Sequence, residues 1–526
     1  MPRRYRVLLL ASVAVFVASL DLFIVNIAFP SIQRDFGGTS DATLSWVLNA
    51  YAIVSASLLI PAGRIADLLG RKRLFLAGLL TFIAASALCA AAQNPGLLIA
   101  ARAVQAAGGA ALVPTSLALL LPEFSPRERP TAVAIWSATG AIAAALGPPI
   151  GGLLVQASWR WVFLVNLPVG LVTAVLAMRA LRESRDPAGG RFPDLLGALL
   201  LVVAISGLAL AIVKGPDWGW GDARIAGLLV GSAILLAAFL RRSARHAVPV
   251  IELSLLRAPG FTAANLAGLF FWAGFGAMLL STVLFLTRVW GEGVVTAGLQ
   301  IAPGPLTAAV FAVPASLLAR RIGLRYVAAA GGVLFAAGAA WRLVSLGATP
   351  DYASTLLPSM VIGGAGVGLV IPTLANAVVA GLPPARFATG SAVYGMVRGI
   401  GTALGVAVLV AVLGTPARAG ALAAFNRAWD LMLITGLVAG VIGLTIRPAA
   451  GASLQDRQRH GVAHRSEPRG VGMDAVAAVE AGVDDRAHAT EGDDVVEVDD
   501  RVEDAAHADG EVELLAVGLH QGRPQD

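Results

Sequence analysis

Apolar residues run along this chain in long blocks, parted by short polar stretches rich in arginine, glycine and proline. A helix needs about 20 apolar residues to cross a hydrocarbon core of roughly 30 Å. Fourteen blocks meet that length, near residues 7–29, 43–62, 74–92, 97–120, 131–155, 162–180, 194–213, 223–240, 261–286, 296–318, 325–346, 354–380, 388–413 and 428–446. Backbone amides find no partner in lipid, so each block is expected to be a helix. The first block does not read as a signal peptide, because it is long, contains Asp21 and is followed by further spans. The expected fold class is an all-α integral membrane protein.

Composition agrees. The chain is 57% apolar and 14% charged, with a mean hydropathy of +0.76. A soluble domain is roughly 45–50% apolar and about 25% charged. The net charge of +6 joins two opposed parts. Residues 1–448 hold 32 Lys and Arg against 15 Asp and Glu, and residues 449–526 hold 7 against 18. The basic part does not point to nucleic acid, because its arginines sit between apolar blocks where a membrane surface accounts for them. The acidic tail, 449–526, lacks any long apolar run and is expected to be disordered.

Arginine also predicts the orientation. With the N-terminus placed in the cytoplasm, 22 Lys and Arg fall inside and 8 outside, Arg342 among the latter. That bias obeys the positive-inside rule and puts both ends of the membrane part in the cytoplasm. Trp159, Trp161, Trp218, Trp220 and Trp290 then fall at the outer surface, as an aromatic belt would. Arg102, Arg398 and Asp21 remain inside apolar blocks.

An ionised Asp at the bilayer centre costs about 2.5–3.5 kcal/mol on insertion scales. Asp21 is therefore either a proton-coupling group or a structural carboxylate held by helix-end amides or an arginine. By helical rise, Arg102 and Gln105 lie at depths that allow pairing with Asp21, although an arginine there can also snorkel outward. The lone cysteine, Cys89, reads as a core thiol, and neither a disulfide nor a cysteine metal cluster is possible.

Six stretches carry a family resemblance, two of them being Arg102-Ala-Val-Gln105-Ala106-Ala-Gly108, with Ala106 where Gly is common, and Ser391–Ala407, which includes Arg398. Gly63-Arg-Ile-Ala-Asp67-Leu-Leu-Gly70-Arg71-Lys72 resembles the signature loop of the major facilitator superfamily, with an echo lacking the acid at Leu318–Arg325. In physical terms Gly63 and Gly70 permit a tight turn, and Asp67 and Arg71 can pair four residues apart. Leu20-Asp21-Leu-Phe23-Ile-Val-Asn26 and Trp159-Arg-Trp-Val-Phe163-Leu-Val-Asn166 resemble strings of the fourteen-helix drug:proton antiporter branch, the EmrB/QacA type. Phe23 stands where that branch usually has Thr. Gly140, Ala144, Gly147 and Gly151 form a small-residue stripe at helical spacing, followed by Gly152 and interrupted by Pro148 and Pro149. This stretch is similar to the motif of exporters within the superfamily.

The resemblance implies two six-helix halves with two extra helices central in the chain. The implied division is an N-terminal half at 1–193, the extra pair with its linker at 194–257, a C-terminal half at 258–448 and the acidic tail at 449–526. It implies a conformational latch at Gly63, Asp67, Gly70 and Arg71. It implies a proton-coupling set of Asp21, Arg102 and Gln105, and an antiporter hinge at Gly140, Gly147, Pro148, Gly151 and Gly152. Expected cavity residues are Asn26, Asn49, Tyr51, Trp136, Trp272, Gln300, Tyr394 and Arg398, although plain helix packing accounts for such residues too. A mostly apolar pocket there would suit lipophilic, even cationic, ligands.

The implied function is proton-coupled export of small amphipathic molecules across a bacterial cell membrane. The expected partners are substrate, protons and lipid, in a monomer with no cofactor beyond the proton gradient. No P-loop is present, since neither Lys72 nor Lys214 follows glycine. Neither a nucleophile motif nor a metal-spaced cluster appears in the membrane part, so no enzymatic activity is expected.

Overall fold

A computed structural model describes residues 1–186, 191–414 and 420–447. The acidic tail lies outside the described residues. Fourteen helices are long and apolar enough to cross a membrane. They are α1 (Arg3–Asp35), α2 (Asp41–Leu69), α3 (Arg71–Ala91), α4 (Pro95–Glu123), α5 (Arg129–Ala157), α6 (Trp161–Ala180) and α7 (Leu195–Trp218). The remainder are α8 (Ala223–Ser243), α9 (Phe261–Arg288), α10 (Val294–Ile322), α11 (Leu324–Ser345), α12 (Tyr352–Ala380), α13 (Phe387–Leu413) and α14 (Ala421–Leu444). No strand occurs among the described residues.

The helices pack as two copies of one pattern. In the first half α1 touches α4, α5 and α6, α4 touches α2 and α3, and α3 touches α6. Adding eight to every number gives the second half: α9 against α12, α13 and α14, α12 against α10 and α11, and α11 against α14. The joint between the halves follows the same rule, since α2 meets α13 and α5 meets α10. The extra helices are central in the chain but lateral in space. Helix α7 lies along α2 and α13, and α8 packs chiefly on α7.

Helices in lipid gain from van der Waals contact rather than from leaving water, so small residues sit where backbones approach. A Cβ on Gly108 of α4 would lie 2.7 Å from the Gly78 carbonyl of α3. The second half repeats this device, where a Cβ on Gly366 of α12 would lie 2.7 Å from the Gly331 carbonyl of α11. Such contacts fix each half as a packed body.

The two faces of the bundle differ. On the face opposite the N-terminus, Arg288 at the end of α9 is ion-paired with Asp41 at the start of α2. There too, Gly152 of α5 lies against the Val294 backbone and Gly298 of α10 against the Pro148 carbonyl. Toward the N-terminal face α5 and α10 lose each other, and from Pro303 to Ile322 only Ala315 of α10 is buried. The far face is closed, and on the near side the α5–α10 seam is open while Gly395 of α13 still meets Leu59 of α2.

Several expectations are corrected. Trp159 and Trp290 are buried rather than part of an aromatic belt. Their indole N–H groups donate to Asp35 and to the Gly347 carbonyl. Trp161 and Trp220 are exposed. Helix α2 runs through Gly63, so no turn forms there. Arg342, assigned by sequence to the surface, is buried within the second half.

Candidate functional site

Two features dominate the membrane interior: a sealed polar cluster inside the first half, and an arginine in the cleft between the halves.

The cluster is built by helical spacing. Arg102 and Gln105 are one turn apart on α4 and so share a face. The same spacing pairs Ser86 with Cys89 on α3 and Phe163 with Asn166 on α6. Asp21 of α1 completes the set, and Asp21, Ser86, Arg102 and Gln105 are fully buried. Arg102 Nη1 donates to Asp21 Oδ2 at 2.5 Å and to Gln105 Oε1 at 2.6 Å. Gln105 Nε2 donates to Asp21 Oδ1 at 2.8 Å and to Ser86 Oγ at 2.8 Å. Asn166 Nδ2 reaches Asp21 Oδ1 at 3.3 Å. Arg102 Nε donates to the Val47 carbonyl of α2 at 3.0 Å.

Aromatic rings cap the pair. The Arg102 guanidinium lies 4.2 Å from the Tyr51 ring centre and 5.7 Å from that of Phe163. The Cys89 thiol faces Gln105 Oε1 at 3.8 Å and is otherwise a core group. A buried carboxylate is tolerated only when paired and hydrogen-bonded, and Asp21 has three donors. Arg102 does not snorkel. The Asp21 carboxylate and the Arg102 guanidinium thus satisfy each other in a dry interior, and removing either charge would strand the other.

Arg398 stands apart. It lies mid-way along α13 with its side chain exposed, 5.6 Å from the Trp272 ring centre. Trp272 Nε1 donates to Tyr394 Oη at 3.2 Å. Arg398 acts electrostatically on both Tyr394 and Tyr51. Tyr51 of α2 is thus within the field of both arginines.

The other expected cavity residues are scattered. Asn26 is buried and donates to the Leu22 carbonyl of its own helix. Asn49 is fully buried, and neither amide atom has a hydrogen-bond partner among the described residues. Trp136 donates to Ser116. Gln300 contacts Glu292 at the closed face, away from the open cleft.

The hinge residues face two ways. Gly147 and Gly151 pack on Phe23, Ile24 and Ile27 of α1, within the same half. Pro148 and Gly152 face α10 of the other half. Gly140 has ordinary clearance, since a Cβ there would lie 3.6 Å from Ser19 Oγ. Helix α5 stays helical through both prolines.

At the near face Gly70, with φ +119°, joins α2 to α3. Asp67 accepts from Arg71 Nε at 3.0 Å. The Glu183 carboxylate caps the start of α3, accepting from the backbone N–H groups of Lys72 and Arg73. The loop is thus tied to the segment after α6, in its own half. Gly323 repeats the turn with φ +96° but has nothing within 4 Å of its Cβ position.

Sequence reasoning missed Ser86, Glu183 and Arg342. It quoted Asn166 only as part of a string. Arg342 donates to Ser359 Oγ at 3.2 Å and Thr282 Oγ1 at 2.9 Å, with no carboxylate in ion-pair range among the described residues.

The family model described as Major Facilitator Superfamily matches residues 11–406. The chain is 35% identical over 415 residues to the cephamycin export protein CmcT of Amycolatopsis lactamdurans, covering 78% of this chain and 85% of that one. It is 34% identical over 412 residues to the multidrug resistance protein Stp of Mycobacterium tuberculosis, covering 77% and 75%. Among solved structures, a bacterial homologue of the human lysosomal transporter Spinster, inward-facing and unoccupied, superposes with a TM-score of 0.61 at 17% identity. That likeness spans 85% of this chain and 98% of the other and concerns the fold alone.

Proposed function

From a chain that belongs to the Major Facilitator Superfamily, and is therefore a multi-pass membrane transport protein and not an enzyme, we propose a proton-coupled antiporter that exports small amphipathic molecules. One observation carries the proton part: the fully buried Asp21, held by Arg102, Gln105 and Asn166 inside a single half. Relatives named for cephamycin export and multidrug resistance support the direction of transport. We place both ends of the membrane part in the cytoplasm on the arginine bias, which makes the open cleft inward-facing. The protein works as a monomer, driven by the proton gradient alone.

The cycle uses two states. In the inward-open state Asp21 is ionised and paired, and substrate enters the cleft. After the halves rock, Asp21 takes a proton from outside. Arg102 then loses its counter-charge, and the half must repack to satisfy it. Return to the inward-open state discharges the proton and restores the pair. A ligand shifts such an equilibrium only through its different affinity for the two states, and the Asp21–Arg102 pair supplies that difference for the proton.

The test is substrate accumulation in inside-out vesicles, with a lipophilic dye as the probe. Uptake should stop when an ionophore collapses the proton gradient. Asp21→Asn should insert normally and transport nothing against a gradient. Uptake that ignores the ionophore would sink the reading.

A further inference from the structure

The three buried carboxylates among the described residues each have an arginine: Asp21 has Arg102, Asp41 has Arg288 and Asp194 has Arg242. Arg398 has none. Its guanidinium makes neither a hydrogen bond nor an ion pair among the described residues, and its one close partner is the Trp272 ring. The side chain is not turned to lipid. Gly395 and Gly399, which flank it on α13, face Leu59 and Ala56 of α2 in the opposite half. Trp272 approaches from α9, and Tyr51 from α2 is within electrostatic reach. Arg398 is therefore an unpaired cation in the cleft at the joint of the halves. Eleven residues separate it from the near end of α13, about 16 Å at the helical rise, or about the middle of the membrane.

A charge at that depth persists only with a role or a partner. The groups around it cannot neutralise it: tryptophan, two tyrosines, glycines and aliphatic side chains. We propose that Arg398 anchors an anionic group of the transported molecule, a carboxylate or sulfonate, while Trp272 and Tyr394 hold the apolar part beside it. This assignment names the substrate class of the export reading above and rests on it. It differs from the expectation of cationic ligands, which the Arg398 charge would repel. Guanidinium suits the task because its planar fork binds carboxylate at two points. The position of Tyr51, against Arg102 on one side and within the field of Arg398 on the other, gives a bound anion a short path of influence to the sealed pair.

The test compares naphthalene-2-carboxylate with the uncharged naphthalene-2-carboxamide, by calorimetry on the full chain in nanodiscs at neutral pH. Two charge-assisted hydrogen bonds should favour the carboxylate by about tenfold or more. Arg398→Gln should erase that preference by weakening the carboxylate the more, and a cooperative thermal transition in nanodiscs shows that the variant is folded. Arg398→Lys should keep part of the preference. Equal affinities in the wild type, no carboxylate binding up to about 1 mM (a scale of weak association), or an undiminished preference in Arg398→Gln would overturn the assignment. The assay needs no proton gradient. Losing the charge preference would leave proton-driven export standing, and gradient-independent efflux would leave the anion site standing.

Discussion

Arg288 grips Asp41 across the joint of the two halves, with Nη1 to Oδ2 at 2.6 Å and Nη2 to Oδ1 at 2.7 Å. Gln33 closes the ring, donating to Asp41 Oδ1 and accepting from Arg288 Nη2, both at 2.8 Å. This is the one ion pair that joins the halves among the described residues, and it lies on the closed face. The Asp41 side chain is 6% exposed and that of Arg288 32%, so solvent screens the pair in part. A coupling of about 1 kcal/mol is reasonable, enough to shift a two-state equilibrium about fivefold. Asp41→Asn should loosen the closed face. Ser45, fully buried next to the gate, can report this as a cysteine whose labelling by an impermeant maleimide should speed up several-fold. The swap Asp41→Arg with Arg288→Asp should restore slow labelling, and if it does not, the pair does not hold the far face closed.

Asp21 and Arg102 should behave as one unit. Removing one member of a buried pair strands the other at a cost of about 3–5 kcal/mol. Asp21→Asn should therefore lower the thermal midpoint in nanodiscs. Asp21→Asn with Arg102→Gln should recover much of that loss, because no charge remains to bury. Transport should not recover, because the proton-binding group is gone. A double variant no more stable than the single one would show that the pair does not dominate the cluster.

What the sequence made legible was whatever stands out against an apolar background. Fourteen long blocks and a charge in the middle of three of them are visible without coordinates, so α1–α14, Asp21, Arg102 and Arg398 could be read. Gln105 followed from the resemblance of its string and from its depth, about that of Asp21. Ser86 could not be found this way, since a neutral hydroxyl costs little in a helix and leaves no mark on hydropathy. Arg342 was misplaced because it lies three residues from the end of α11, where an arginine reads as interfacial. The Arg288–Asp41 gate joins positions 247 apart, and only the packing of the halves brings them together. Glu183 carries no mark in the sequence, since only the packing seats the start of α3 on its carboxylate.

Arg342 offers a contrast with Arg102. Both are buried, but the partners of Arg342 are the neutral Ser359 and Thr282 and the Met360 sulfur. An arginine buried without a counter-charge carries a desolvation cost of several kcal/mol, which an apolar group of similar length escapes. Arg342→Met should leave the thermal midpoint unchanged or raise it, whereas Arg102→Met should lower it by stranding Asp21. A clear loss of stability in Arg342→Met would show that its hydrogen bonds outweigh its desolvation.

The joint of α5 and α10 allows a sharper test of the moving interface than the glycine stripe itself. Gly147 and Gly151 face α1, so enlarging them strains one half internally. Gly298 faces the other half, and a Cβ there would overlap the Pro148 carbonyl oxygen. That atom is backbone in a proline-containing turn of helix and cannot swing aside, so α10 itself must move away from α5. Gly298→Ala should therefore bias the protein against the far-face-closed state while leaving each half intact. Labelling of Ser45→Cys should accelerate, as in Asp41→Asn, and transport should slow because one of the two end states is penalised. Gly140→Ala, with its nearest neighbour at 3.6 Å, should change neither. If Gly298→Ala instead lowers the thermal midpoint without changing labelling, the contact is static packing rather than a surface that opens and closes during transport.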